Sequence, residues 1–262
     1  MIAANLFKNK KFQHYIDLIA VLTHKEMKVR YKSSTLGYLW SVLNPLAFAL
    51  VFFCVFKVVM RIPMENYTLF LIAGLFPWQW LNNTASTSPN VFITNSTLIK
   101  KTNFPRNIIL LSVVLQDMIH FILAIPVILF FMFVYHQTPS FSWTYGIPVL
   151  LFLQLLMTYG IGLFLSSINL FFRDLERMTL ILMLLAFYAT PIIYNEQMVP
   201  EKFKPLLYLN PFAPLIMTWR ELLLSGKVEP SLFAISTAYS VAIFFIGYWT
   251  FKKLSWKFAE VL

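Results

Sequence analysis

The chain has 262 residues, 59% hydrophobic and only 12% charged, with a net charge of +10. Soluble domains carry about 25% charged residues, so a water-soluble fold of this composition lacks the polar surface to cover its core. The expected class is an all-α polytopic membrane protein, and with no RNA- or DNA-binding motif present the basic excess predicts no nucleic-acid partner.

Residues 11–30 read KFQHYIDLIAVLTHKEMKVR. Phe12, Tyr15, Ile16, Ile19 and Leu22 fall at helical spacing, with Gln13, Asp17, Lys25 and Lys28 on other faces. The segment is too charged to span and predicts a helix lying in the membrane interface, either a simple anchor or also a contact for a cytosolic partner. The N-terminus does not resemble a cleaved signal peptide, because the first strongly apolar run begins only near Leu36.

A helical span needs about 20 mostly apolar residues. Residues 36–58, 67–93, 108–135, 145–171 and 231–251 qualify, and 177–194 is a shorter sixth. In the first, Asn44-Pro45 predicts a kink, with Asn44 as a gate residue the alternative. Cys54, the sole cysteine, reads as a small buried apolar residue and excludes an intrachain disulfide. The second span must run on through NNTASTSPN, Asn82 to Asn90, since its apolar part is too short. Such a stretch is tolerated at depth only against protein or water, so it serves helix packing or lines a hydrated passage. In the fourth, Gly160 and Gly162 with Ser166 and Ser167 predict close helix packing. Between 195 and 230, five prolines divide the chain into two expected short helices, 200–208 and 213–225, lying in or dipping into the outer interface.

Placing both termini in the cytosol puts fifteen Lys and Arg inside and six outside, which selects six spans with cytosolic ends. The whole chain reads as one membrane domain, 1–262.

Several chemistries are excluded. None of the seven glycines belongs to a G-x-x-x-x-G-K-[ST] loop, so ATP is not bound through one. No cluster of metal-ligand spacing and no paired intramembrane carboxylates are seen. Asp117 and His120 are the only ionisable residues well inside a span and serve either a transport role or an interhelical clamp. A membrane-embedded transferase would need more clustered carboxylates or histidines than these two supply.

Five blocks then occur in order along nearly the whole chain. HKEMKVRYKSSTLGYLWSVLNP leads into the first span. KKTNFPRNI, Lys100 to Ile108, lies between spans two and three. NLFFRDLERM, Asn169 to Met178, follows span four. TPIIY, Thr190 to Tyr194, and LNPFAPLIMTWRELLL, Leu209 to Leu224, lie toward the outside. Together they resemble the permease subunits of type-2 ABC exporters of polysaccharides, and within that family look closest to the O-antigen exporters, with teichoic acid and capsule exporters as near relatives. A drug or small-lipid efflux permease is the alternative on the same scaffold.

The resemblance implies a multi-pass protein of the bacterial inner membrane. It implies a homodimer joined to two cytosolic ABC ATPase subunits, which hold ATP and Mg; this chain needs no cofactor or metal and has no catalytic residue. The cargo implied is lipid-linked glycan. By the same resemblance, Lys100, Lys101, Phe104, Pro105 and Arg106 form the turn that couples to the ATPase. Lys25, Glu26, Arg30 and Tyr31 stand at the cytosolic entrance, facing diphosphate head groups, the partner or anionic membrane lipids. Pro211 and Arg220 belong to outer gate helices. Stacking needs aromatic faces and sugar hydroxyls need polar partners, so Phe52, Phe56, Tyr188 and Tyr194, with Asn82 and Ser86, are the expected channel lining. Arg173 and Asp174 form a local pair or touch the ATPase.

Overall fold

The computed structural model describes residues 2–30, 32, 34–61, 66–101 and 105–261, with the side chains of 2–11, 38, 41, 45, 259 and 260 excepted. Tyr31 and Phe104 lie outside the described residues. All regular structure among the described residues is helical: α1 (Ile2–Arg30), α2 (Trp40–Phe52), α3 (Tyr67–Thr87), α4 (Val91–Thr94), α5 (Ser96–Lys101), α6 (Asn107–Val134), α7 (Trp143–Asn169), α8 (Leu175–Ala189), α9 (Lys204–Leu209), α10 (Ala213–Ser225), α11 (Pro230–Leu254) and α12 (Phe258–Val261). Among the described residues, four segments are long and apolar enough to cross a membrane: Val42–Val59, Asn107–Val134, Trp143–Asn169 and Pro230–Lys257. This is the architecture of a helical polytopic membrane protein.

α1 is helical from Ile2, well before the expected 11, and through Arg30. Its C-terminal half buries Leu22, Thr23 and Met27, while Phe12, Tyr15 and Ile16 stay exposed. The helix therefore packs on the protein by one end and offers an apolar flank by the other.

α2 runs through Pro45 and continues as π-helical turns over Phe53–Val59, where the Met60 N–H reaches the Val55 carbonyl at 2.9 Å. Leu43, Phe48, Leu50, Val51 and Val55 on this segment are exposed. Cys54 is exposed with them, not buried as its apolar surroundings suggested. Hydropathy reports only that a residue avoids water, and a membrane satisfies it as well as a core does.

The core forms around α3, most of whose residues are buried. Pro77 interrupts its hydrogen-bond ladder, and the Gln154 amide of α7 donates to the Pro77 carbonyl at 2.7 Å. The polar stretch that follows divides its faces. Thr84 and Ser88 are buried, whereas Asn82, Asn83 and Ser86 are half-buried. The packing role expected of this segment falls on Thr84 and Ser88.

α7 and α11 approach to backbone contact. A Cβ on Gly247 would lie 1.9 Å from the Gly160 carbonyl oxygen, and one on Gly160 would lie 2.6 Å from the Phe244 Cα. Gly162 packs on Ser88 and Leu110 in the same manner, and Ser166 and Ser167 are fully buried. Only small residues allow this separation.

The expected span over 177–194 is a helix of 15 residues that stops at Ala189. At 1.5 Å per residue it is about 22 Å long. Pro191 is the reason. It excludes the residue before it from the helical region, and Thr190 is extended at φ −96°, ψ 135°. Thr190 and Ile192 are fully buried in this non-helical segment.

α10 matches its expected bounds and packs into the helical core. Leu215, Ile216, Trp219 and Leu222 are fully buried among α3, α7 and α11. Asn210 starts it by accepting from the Phe212 N–H at 3.0 Å, and Gly226 ends it in the left-handed conformation, φ 65°. α9 stays at the periphery, with Leu206 and Leu209 exposed.

Candidate functional site

A polar, partly open hollow lies where α1 meets α2, α3 and α6. It is a cavity of about 340 Å³. Arg30 and Ser34 contribute from α1 and the turn after it, Trp40 and Asn44 from α2, Gln79, Trp80 and Asn83 from α3, and Asp117, His120 and Phe121 from α6. A spacing of three and four residues places each set on one side of its helix. Trp80 stacks on Phe121 at 5.9 Å, and Phe121 meets the edge of Trp219 at 4.9 Å, which fixes one wall.

Asp117 is held here by an ion pair. Arg30 Nη1 lies 2.5 Å from Asp117 Oδ1, and the Thr84 hydroxyl donates to Oδ2 at 2.9 Å. The Asp117 side chain is 1% exposed and the Arg30 side chain 33% exposed. Asp117 is thus an interhelical clamp joining α1, α3 and α6, but its partner is Arg30, 87 residues away, and not the neighbouring His120. Among the entrance residues, Lys25 pairs with Glu26 at 2.9 Å and donates to Asn95 at 2.8 Å.

A second hollow, a groove of about 440 Å³, adjoins the first. Glu26, Arg30, Ser86, Asn90, Asn95, Gln116 and Glu176 line it. Ser86 therefore faces a polar groove. Asn82 lines neither hollow.

The expected channel aromatics form one cluster. Phe52 lies 6.2 Å from Phe56 and 5.7 Å from Phe187, Phe187 lies 5.3 Å from Tyr188, and the Tyr194 hydroxyl donates to the Tyr188 carbonyl at 3.3 Å. Phe187 and Trp78, 5.8 Å apart, connect the cluster to α3. Neither was singled out in the sequence, where nothing distinguishes them from the other Phe and Trp residues.

At the opposite end of the helices, Arg220 points inward. Its guanidinium lies 3.8 Å from the centre of the Phe70 ring and donates to the Ile192 carbonyl at 3.0 Å. The Tyr67 hydroxyl donates to the Ile193 carbonyl, also at 3.0 Å. These bonds satisfy the backbone that Pro191 pulled out of the helix. Arg220 is accordingly a core residue, while Pro211 lies half-buried in the turn before α10.

The ABC-2 type transporter family matches residues 17–224. The chain belongs to that family. It is 47% identical over 249 residues to the O-antigen export system permease protein RfbA of Klebsiella pneumoniae, covering 95% of this chain and 96% of that one. It is 30% identical over 256 residues to the protein of the same name from Myxococcus xanthus, covering 96% and 97%. The polysialic acid transport protein KpsM of Escherichia coli is 23% identical over 216 residues, 80% and 83% of the two chains. The chain is thus a transporter permease and not itself the ATPase.

An ABC-2 transporter permease implies an ATPase partner, and residues 100–106 are the part of this chain expected to meet it. Lys100 and Lys101, in α5, and Pro105 are exposed. Arg106 is engaged within the chain: its guanidinium donates to the Ser255 carbonyl and sits 6.0 Å from the centre of the Phe258 ring. In the loop between α7 and α8 no ion pair joins Arg173 to Asp174, and both are exposed. The local pair expected from sequence is not formed.

Proposed function

We propose that this chain is the channel-forming subunit of an ATP-driven exporter that moves lipid-linked O-antigen polysaccharide from the cytosol across the bacterial inner membrane. The observation that carries the reading is the similarity to O-antigen export permeases over nearly the whole chain. Two such subunits would form the membrane part, and two cytosolic ATPase subunits would supply the force. Export of a capsule-type glycan is the second reading, favoured by the weaker similarity to KpsM.

In this reading the protein crosses the bilayer six times with both ends inside. α3 and α8 complete the set begun by α2, α6, α7 and α11, forming one permease domain over 1–262. The exposed apolar sides of α2 and α8 meet lipid and the second subunit. The aromatic cluster of Phe52, Phe56, Phe187, Tyr188 and Tyr194 offers flat apolar faces to sugar rings, and Asn82 and Ser86 offer polar partners. α1 lies at the cytosolic face, bringing Lys25 and Arg30 to the level of lipid phosphates. Lys100, Lys101, Phe104, Pro105 and Arg106 receive the ATPase stroke. Pro211 and Arg220 belong to a gate on the outside, α9 being its peripheral part.

Deletion of the gene tests the function. Lipid-linked glycan should accumulate on the cytosolic side and return to the surface on complementation. Unchanged surface glycan in the deletion strain excludes the assignment. The coupling turn has its own test: Phe104→Ala with Arg106→Ala should leave membrane insertion intact and separate ATP hydrolysis from export. Normal export by that double variant removes the turn from the mechanism.

A further inference from the structure

Two hollows flank Arg30, and their walls continue one into the other. α3 presents Phe76, Gln79 and Asn83 to the cavity, and the same chain then presents Ser86, Asn90 and Thr94 to the groove. Steps of three and four residues keep these positions on one side of the helical run. α6 does the same, with Val113 and Gln116 at the groove and Asp117, His120 and Ala124 at the cavity. The hollows are two reaches of one seam between α3 and α6. Among the described residues, Arg30 is the one common to both linings.

We propose that Arg30 is a movable partition in this seam, which is one polar groove for the carbohydrate part of the cargo. It is divided while Arg30 sits on Asp117 and continuous when Arg30 leaves. The amides of Gln79, Asn83, Asn90 and Gln116 and the hydroxyls of Ser86 and Thr94 both donate and accept, as sugar hydroxyls require. Phe76 and Trp40 add aromatic faces.

The seat is built for departure. Arg30 reaches Asp117 by a long, flexible side chain, which can change rotamer without moving α1. It is one-third exposed already. Asp117 keeps the Thr84 hydroxyl when Arg30 withdraws, so the carboxylate is not left without a partner. Carbohydrate as the cargo rests on the export reading above; the partition itself does not.

The test measures the reactivity of two engineered thiols in the complete transporter, purified into lipid nanodiscs. Cys54, the sole and exposed cysteine, is first replaced by serine. Asn83→Cys then reports the cavity and Ser86→Cys the groove, each treated with a charged thiol reagent. With Arg30 in place, Ser86→Cys should react at least tenfold faster than Asn83→Cys, because a seat held by a buried ion pair is mostly occupied. In an Arg30→Ala background Asn83→Cys should accelerate toward the Ser86→Cys rate. Should that variant fail to fold, Arg30→Ala with Asp117→Asn removes both charges and is read the same way. An Asn83→Cys rate that is the same with and without Arg30 overturns the partition, whether the rate is fast or slow. Millimolar soluble O-antigen oligosaccharide should slow the accelerated Asn83→Cys. Acceleration without that protection keeps the partition and rejects carbohydrate as the occupant. Neither rate depends on whether export occurs.

Discussion

The Arg220 guanidinium lies 3.8 Å from the centre of the Phe70 ring, with Gly74 one turn further along α3 leaving room for it. A Cβ on Gly74 would come within 2.4 Å of Arg220 Nη2. Ring, glycine and guanidinium therefore form one unit that holds the extended segment after α8 through the Ile192 carbonyl.

Arg220→Met should leave that carbonyl buried and unpartnered, at a cost of about 1–3 kcal/mol. Gly74→Ala should act in the same direction by displacing the guanidinium. Thermal unfolding of the purified protein measures both, and an unaltered transition for Gly74→Ala would contradict the packing.

Asp117 and Arg30 make a second unit. Removing one partner of a buried pair costs about 3–5 kcal/mol, with the lower end expected here because Arg30 is partly exposed. Arg30→Ala should therefore be more harmful than Arg30→Ala combined with Asp117→Asn. A double-mutant cycle on unfolding reads the coupling, and strict additivity of the two changes would show that the pair does not form.

How much of this was legible in advance differs by element. The runs that became α6, α7 and α11 are long and apolar enough that hydropathy alone finds them, and the bounds of α10 follow from Asn210, Pro214 and Gly226 acting locally. The end of α8 was misjudged because Thr-Pro-Ile-Ile-Tyr is as apolar as helix, and the donors that make its non-helical course affordable, Arg220 and Tyr67, lie 28 and 126 residues away. The same distance problem hid the partner of Asp117. Spacing along one helix suggested His120, while the fold supplied Arg30. The inward position of Arg220 was hidden as well, since nothing local in the sequence points to Phe70 as its ring partner.

Gly247→Ala should push α7 and α11 apart and cost about 1–3 kcal/mol, the range for overpacking a filled contact. The expected result is lower yield and a broadened size-exclusion profile in detergent. Gly37→Ala offers no steric comparison, since nothing lies within 4 Å of a Cβ there, but its φ of 48° strains any side chain. A change confined to Gly37→Ala, with Gly247→Ala behaving as native, would argue against the helix contact.

The loop between α8 and α11 should respond to pH through Glu221. Burial raises its carboxyl above the ordinary range, Glu229 and Glu196 add to this by their charge, and the Glu229 N–H bond opposes it. A group whose pKa is raised by folding favours the folded state below its unfolded value and loses that contribution as pH rises through the folded one. Hydrogen exchange at 221–229 should therefore be slowest in acid, after correction for intrinsic rates, and should quicken as the carboxylate forms. Glu221→Gln should flatten the dependence; the same slope in that variant would assign it elsewhere.

The backbone contact of Gly160 with Gly247 has a mechanical meaning. Where the two main chains meet directly, no side chain lies between them to yield, so the pair should resist sliding at that point. Displacements within the fold should then be looked for first in α2 and α8, whose apolar flanks are exposed.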